Sequence, residues 1–146
     1  MACSTMQITK SWLVLKKYLF TILFISWTVF ITLLSLFSFK GDSLPSVDIP
    51  HLDKVVHFTF YFVFAFLGCL GYRELKSKNT TVKRAVFISI LTAVIYGMVI
   101  EVLQGVATAH RDPGILDFLA NSAGAFVGAY VVKYIFSGNT SLKWGK

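Results

Sequence analysis

The sequence predicts an all-α fold, an integral membrane bundle of four transmembrane helices with both termini on the cytoplasmic side. Three observations carry this expectation. The 146 residues are 55% hydrophobic and only 14% charged, with a mean hydropathy of +0.69, too few charges to cover a soluble domain of this length. Four apolar stretches approach or exceed the roughly 20 residues a helix needs to cross about 30 Å of hydrocarbon. The basic residues gather at the ends of those stretches, as topology-setting charge does.

The stretches run over Tyr18–Phe39, Val55–Tyr72, Ala85–Val106 and Ile115–Phe136. The first follows Lys10, Lys16 and Lys17 and resembles a signal peptide, but it is longer than a typical apolar core of one and no small-residue cleavage site follows it, so a retained anchor is expected. The second is the shortest and most aromatic, with no formal charge between Val56 and Tyr72 unless His57 carries one. The connection from Lys40 to Asp53 holds Pro45 and Pro50. Before the fourth stretch, Asp112 is placed to cap the helix and Pro113 to fill its first turn. No internal repeat or low-complexity linker is present. The chain reads as a cytoplasmic segment over 1–17, a first span over 18–39, a domain over 40–136 holding three further spans, and a cytoplasmic tail over 137–146.

Orientation follows from the Lys and Arg residues outside the spans and at their edges. Lys10, Lys16, Lys17, Arg73, Lys76, Lys78, Lys83, Arg84, Lys133, Lys143 and Lys146 fall on one side, which is 11; Lys40, Lys54 and Arg111 fall on the other, which is 3. The split puts both termini and the middle loop in the cytoplasm. The net charge of +7 is therefore a membrane signal, and nucleic-acid binding is not expected, because no basic and aromatic residues interleave on a solvent face. Cys3 and Cys69 are too few and too badly placed for a disulfide framework or a zinc site and read as free thiols.

Polar groups inside lipid are costly, so their placement is informative. Asp53, His57 and Tyr61 recur at i, i+4 and i+8 on the second span; Gly97, Glu101 and Gln104 share a face of the third; Asp117, Asn121, Gly124 and Gly128 form a stripe on the fourth. With the deduced topology all three stripes lie in the outer half of the membrane. Each has a plain structural explanation. His57 and Tyr61 suit an interface, Gly124 and Gly128 suit close helix packing, and Gln104 and Asn121 suit hydrogen bonds between helices. Glu101 is harder to dismiss, because a buried carboxylate needs a partner, water or a proton, and Arg111 is the obvious partner. Two helix N-termini on the outer side, with Lys54, His57 and Arg111, offer an anionic headgroup a seat. Asp53, Glu101 and Asp117 would oppose it unless protonated or paired. His57 and the carboxylates could also hold a divalent cation, but their spacing matches no dedicated motif. No metal and no cofactor are expected.

Three motifs, DKVVHFTFY at Asp53–Tyr61, YGMVIEVLQ at Tyr96–Gln104 and RDPGILDFLANSAGAFVG at Arg111–Gly128, together resemble the VanZ-like family of small bacterial membrane proteins, named for a component linked to teicoplanin resistance. The resemblance spans about Asp53–Tyr134 and omits the first span. Its polar positions map onto Asp53, Lys54, His57, Tyr61, Gly97, Glu101, Gln104, Arg111, Asp117, Asn121 and Gly124. Asp112-Pro113 departs from the small or polar residues expected after the arginine. The resemblance implies a multi-pass protein of the bacterial cytoplasmic membrane, with its polar site on the extracytoplasmic side and a possible link to glycopeptide resistance. It brings no established reaction, and family membership is broader than resistance.

Three functions remain open. The pocket binds an anionic lipid-linked, polyprenyl-linked or glycopeptide-like ligand without catalysis, using Asp53, Lys54, His57, Tyr61, Glu101, Gln104, Arg111, Asp117 and Asn121. Alternatively, the chain is an intramembrane hydrolase or transferase of a lipid headgroup, with His57 as base, Asp53 or Asp117 orienting it, and Glu101 a further candidate. No serine in a glycine elbow, no paired-histidine phosphatase pattern and no zinc-protease helix supports that chemistry. In the third reading the stripes only join the helices.

Overall fold

The computed structural model describes residues 17–36, 52–76, 80–107 and 115–137, with Leu15 and Trp144. Four helices make up the fold: α1 Leu19–Leu36, α2 Leu52–Lys76, α3 Val82–Ala107 and α4 Ile115–Ile135. No strand occurs among the described residues. All four helices are long and apolar enough to cross a membrane, and even the 18 residues of α1 reach about 27 Å at 1.5 Å per residue. The four-span expectation holds. The second helix is longer than its apolar run, starting three residues earlier and ending four later.

Local chemistry explains these limits. Asp53 sits in the first turn of α2 and Arg73 and Lys76 in its last, signs that suit the helix dipole at both ends. Thr81 precedes α3 and its hydroxyl accepts from the Arg84 N–H at 3.3 Å, an N-cap. α4 repeats the charge pattern with Asp117 early and Lys133 late. The expected cap by Asp112 and Pro113, the Pro45 and Pro50 connection, and Cys3 lie outside the described residues.

α2 is the hub, packing against α4 most extensively and against α1 and α3 as well, while α1 also meets α3. The α2–α4 pair is close because of Gly124 and Gly128. A Cβ at either position would land on backbone, the Phe58 carbonyl for Gly124 and the Phe62 carbonyl for Gly128. Small residues at four-residue spacing let two helix backbones meet in this way. The core around that contact is aromatic. Phe64 stacks on Tyr96 with ring centroids 5.0 Å apart and takes Phe24 edge-on at 4.8 Å. Ala65, Cys69, Ala125, Ala129 and Val132 fill the space around these rings.

The outward faces are as apolar as the interior. Leu23, Ile25, Val29 and Leu33 of α1, Val99 and Val102 of α3, and Leu119 and Val127 of α4 are all exposed, and only Ile31 is buried in α1. Water would penalise such a surface, and hydrocarbon does not.

α1 lies outside the sequence motifs but is fastened at both ends by residues of other helices. At its N-terminus the Glu74 carboxylate accepts from the N–H groups of Phe20 at 3.0 Å and Thr21 at 2.8 Å, and from the Thr21 hydroxyl at 2.9 Å. These are the donors a helix start leaves unpaired. Near its C-terminus the Ser35 carbonyl accepts from Gln104 Nε2 at 2.9 Å. Between them, Trp27 Nε1 donates to the Phe60 carbonyl at 3.0 Å, and the hydroxyls of Thr32 and Tyr96 meet at 2.7 Å.

Candidate functional site

The polar residues of α2, α3 and α4 meet at the end of the bundle where α2 and α4 begin and α3 finishes. His57, Glu101, Gln104, Asp117 and Asn121 are all buried there, although each is polar or charged. Helical repeat explains the meeting. Residues four apart share a face, so α2 brings His57 and Tyr61 inward, α3 brings Gly97 and Glu101, and α4 brings Asp117 and Asn121. The close backbone contact at Gly124 sets α4 at a depth where Asn121 reaches both neighbours.

Asn121, 2% exposed, is the centre of the arrangement. Its Nδ2 donates to Glu101 Oε1 at 3.2 Å, and its Oδ1 lies 3.0 Å from His57 Nδ1. An ionised carboxylate only accepts hydrogen bonds, so Asn121 must turn its amino group to Glu101 and its carbonyl to His57. In the tautomer with a proton on Nδ1, His57 donates to Asn121. This chain of bonds joins α2, α4 and α3 in turn, with His57 Nδ1 itself 3.9 Å from Glu101 Oε1.

Lys54 forms a second link. Its ammonium lies 3.0 Å from Asp53 Oδ2 and 3.8 Å from Asp117 Oδ1, bridging the first turns of α2 and α4. Asp53 is the exposed member of this set, and its carboxylate faces Lys54. The Asn121 amide is thus set against His57, a partner the sequence reading, which pointed to Asp53 or Asp117, did not name. Asp117 Oδ1 is buried and makes no hydrogen bond. Tyr61 is 3% exposed, and its hydroxyl also lacks a hydrogen bond. The Tyr61 ring lies against Gly97, where a Cβ would come within 3.2 Å of it. A larger residue at 97 would displace the tyrosine.

Beside this cluster is a cleft of about 330 Å³ bounded by α1, α2 and α3. Leu34, Leu52, Val56 and Phe60 form its apolar wall; Ser35, Asp53, His57 and Gln104 form its polar one. Among the described residues, His57, Glu101 and Asp117 also form a group whose potential metal-ligating atoms all lie within 4.8 Å of one another. No spacing along the chain signals that group, because each ligand comes from a different helix.

The sequence-derived site is therefore largely one place. His57, Tyr61, Glu101, Gln104, Asp117 and Asn121 are brought inward, and Asp53 and Lys54 guard the edge. Arg111, the expected partner of Glu101, lies outside the described residues. Sequence reasoning assigned Gln104 to the pocket without anticipating that its amide holds α1. It also passed over Glu74, whose one available signal was a carboxylate among the basic residues at the end of an apolar run.

The fold and the buried polar cluster define the class: a multi-pass helical membrane protein with a polar site at one end of its bundle. Comparison with known proteins adds no narrower identity, since no family model, curated protein or solved structure matches the chain.

Proposed function

We propose that this chain is a VanZ-like protein of the bacterial cytoplasmic membrane that binds an anionic, lipid-linked or glycopeptide-like ligand at the end of the bundle where α2 and α4 begin. The observation that carries the reading is the two-sided cleft, apolar along Leu34, Leu52, Val56 and Phe60 and polar along Ser35, Asp53, His57 and Gln104. An amphiphile has that division, with a tail for the exposed apolar helix faces and a headgroup for the polar wall. The N-termini of α2 and α4 add positive dipole ends, and Lys54 adds a cation. The 11-to-3 distribution of basic residues supports both termini in the cytoplasm and this site facing the outer leaflet. Any bearing on glycopeptide resistance would follow from ligand capture.

Native mass spectrometry of the purified protein with its co-extracted lipids tests this. A polyprenyl phosphate or anionic phospholipid should remain bound to the wild type and be lost from Arg111→Ala and Lys54→Ala variants that still fold. Equal retention in all three would remove the reading.

The His57–Asn121–Glu101 chain favours a second reading, an intramembrane hydrolase or transferase of a lipid headgroup. There His57 exchanges protons while Asn121 holds its ring. Absence of any His57-dependent turnover on lipid-phosphate substrates would remove this one.

A further inference from the structure

The geometry points to a binding site for a divalent transition-metal ion, Zn²⁺ or Mn²⁺, formed by His57, Glu101 and Asp117. The inference rests on this cluster alone and does not depend on a lipid ligand. One imidazole and two carboxylates, all buried and each from a different helix, present ligand atoms within 4.8 Å of one another. Metal–ligand bonds of about 2.0–2.2 Å place ligand atoms roughly 3 to 4 Å apart, so an ångström of side-chain adjustment closes the site. A nitrogen with two oxygens suits zinc or manganese better than magnesium or calcium, which favour oxygen throughout. Three protein ligands also leave a coordination position open.

Two further observations point to a ligand here. The Oδ1 atom of Asp117 is buried and makes no hydrogen bond; the Lys54 ammonium stays 3.8 Å away. The Tyr61 hydroxyl is buried and makes none either. It lies on the same face as His57, one turn further along α2, and against Gly97, one turn before Glu101. Buried polar atoms left in this state are costly, and a bound cation answers the one on Asp117. Asn121 already holds His57 and Glu101 as an outer-shell residue would.

The test uses full-length protein in detergent, carrying Cys3→Ser and Cys69→Ala to remove thiol ligands, stripped with chelator and titrated with Zn²⁺ and separately with Mn²⁺. One ion should bind per chain and raise the melting temperature. Asp117→Asn and Glu101→Gln should each weaken binding about ten-fold or more. X-ray absorption at the zinc edge of the unsubstituted site should show a nitrogen and oxygen shell with one imidazole, and it decides the matter even where a variant fails to fold. No saturable binding, unchanged affinity in both variants, or a shell with no imidazole or more than one would overturn the site. Lipid retention measured with chelator present is a separate readout, so loss of the metal site and loss of lipid binding are distinguishable.

Discussion

Asn121 joins three helices with one side chain, because an amide has a donor and an acceptor at opposite edges of a plane. Aspartate could accept from His57 but would face Glu101 with a second carboxylate. Leucine would leave both partners buried without it. Asn121→Leu is therefore expected to destabilise the fold by about 1–3 kcal/mol, the usual range for orphaned buried partners, read as a lower melting temperature in detergent. Asn121→Asp should destabilise comparably near neutral pH. Recovery of its melting temperature on acidification would show that like charge beside Glu101 is the cause. Gly97 is legible at the same scale, since a methyl group there would press the Tyr61 ring, which would have to give by a few tenths of an ångström.

Among elements, two contacts carry most of the arrangement. The α2–α4 contact depends on glycine at 124 and 128, where any Cβ meets a main-chain carbonyl that cannot rotate away. Gly128→Val should force the helices apart and cost about 1–3 kcal/mol or more. It should also disturb the site about two to three helix turns away, because Asn121 and Asp117 ride on the same helix. A thermal melt measures the first effect and zinc or lipid binding the second. The α1–α2 contact depends on Glu74. Glu74→Gln keeps the shape but removes the charge from the helix start, and a loss of roughly 0.3–2 kcal/mol is expected. Faster proteolysis within α1 than in the other helices would report it, since only α1 loses its cap. At the same end of the molecule Arg73 donates to the Trp144 carbonyl at 2.7 Å and lies over the Phe136 ring, joining the end of α2 to the residues after α4.

For the molecule as a whole, the asymmetry between its two ends is the main functional feature. One end holds buried polar groups of α2, α3 and α4 beside a cleft; the other is tied by Glu74, Arg73 and Trp144. We propose from the positive-inside bias that the first end faces outward, and single-cysteine labelling in intact cells checks this. Cysteines placed at 42–48 and 108–110 should react with an impermeant reagent, and those at 77–79 should not. The reverse pattern would invert the topology and move the site to the cytoplasmic leaflet.

Much of this was legible in the linear order of residues. Apolar runs of the required length determined four membrane helices, because lipid allows no other backbone solution for such segments. The i, i+4 recurrence on α2, α3 and α4 marked the inward face, Asp53 at the exposed start of α2 excepted, since a helix repeats every 3.6 residues whatever surrounds it. Neither argument reaches across helices. Only the tertiary structure decided that Asn121 stands between His57 and Glu101, that Gln104 holds the end of α1, and that His57, Glu101 and Asp117 converge at a distance a metal ion could bridge. Those contacts depend on how far each helix is shifted and rotated against its neighbours, which backbone packing at Gly124 and Gly128 sets and periodicity along one chain does not contain.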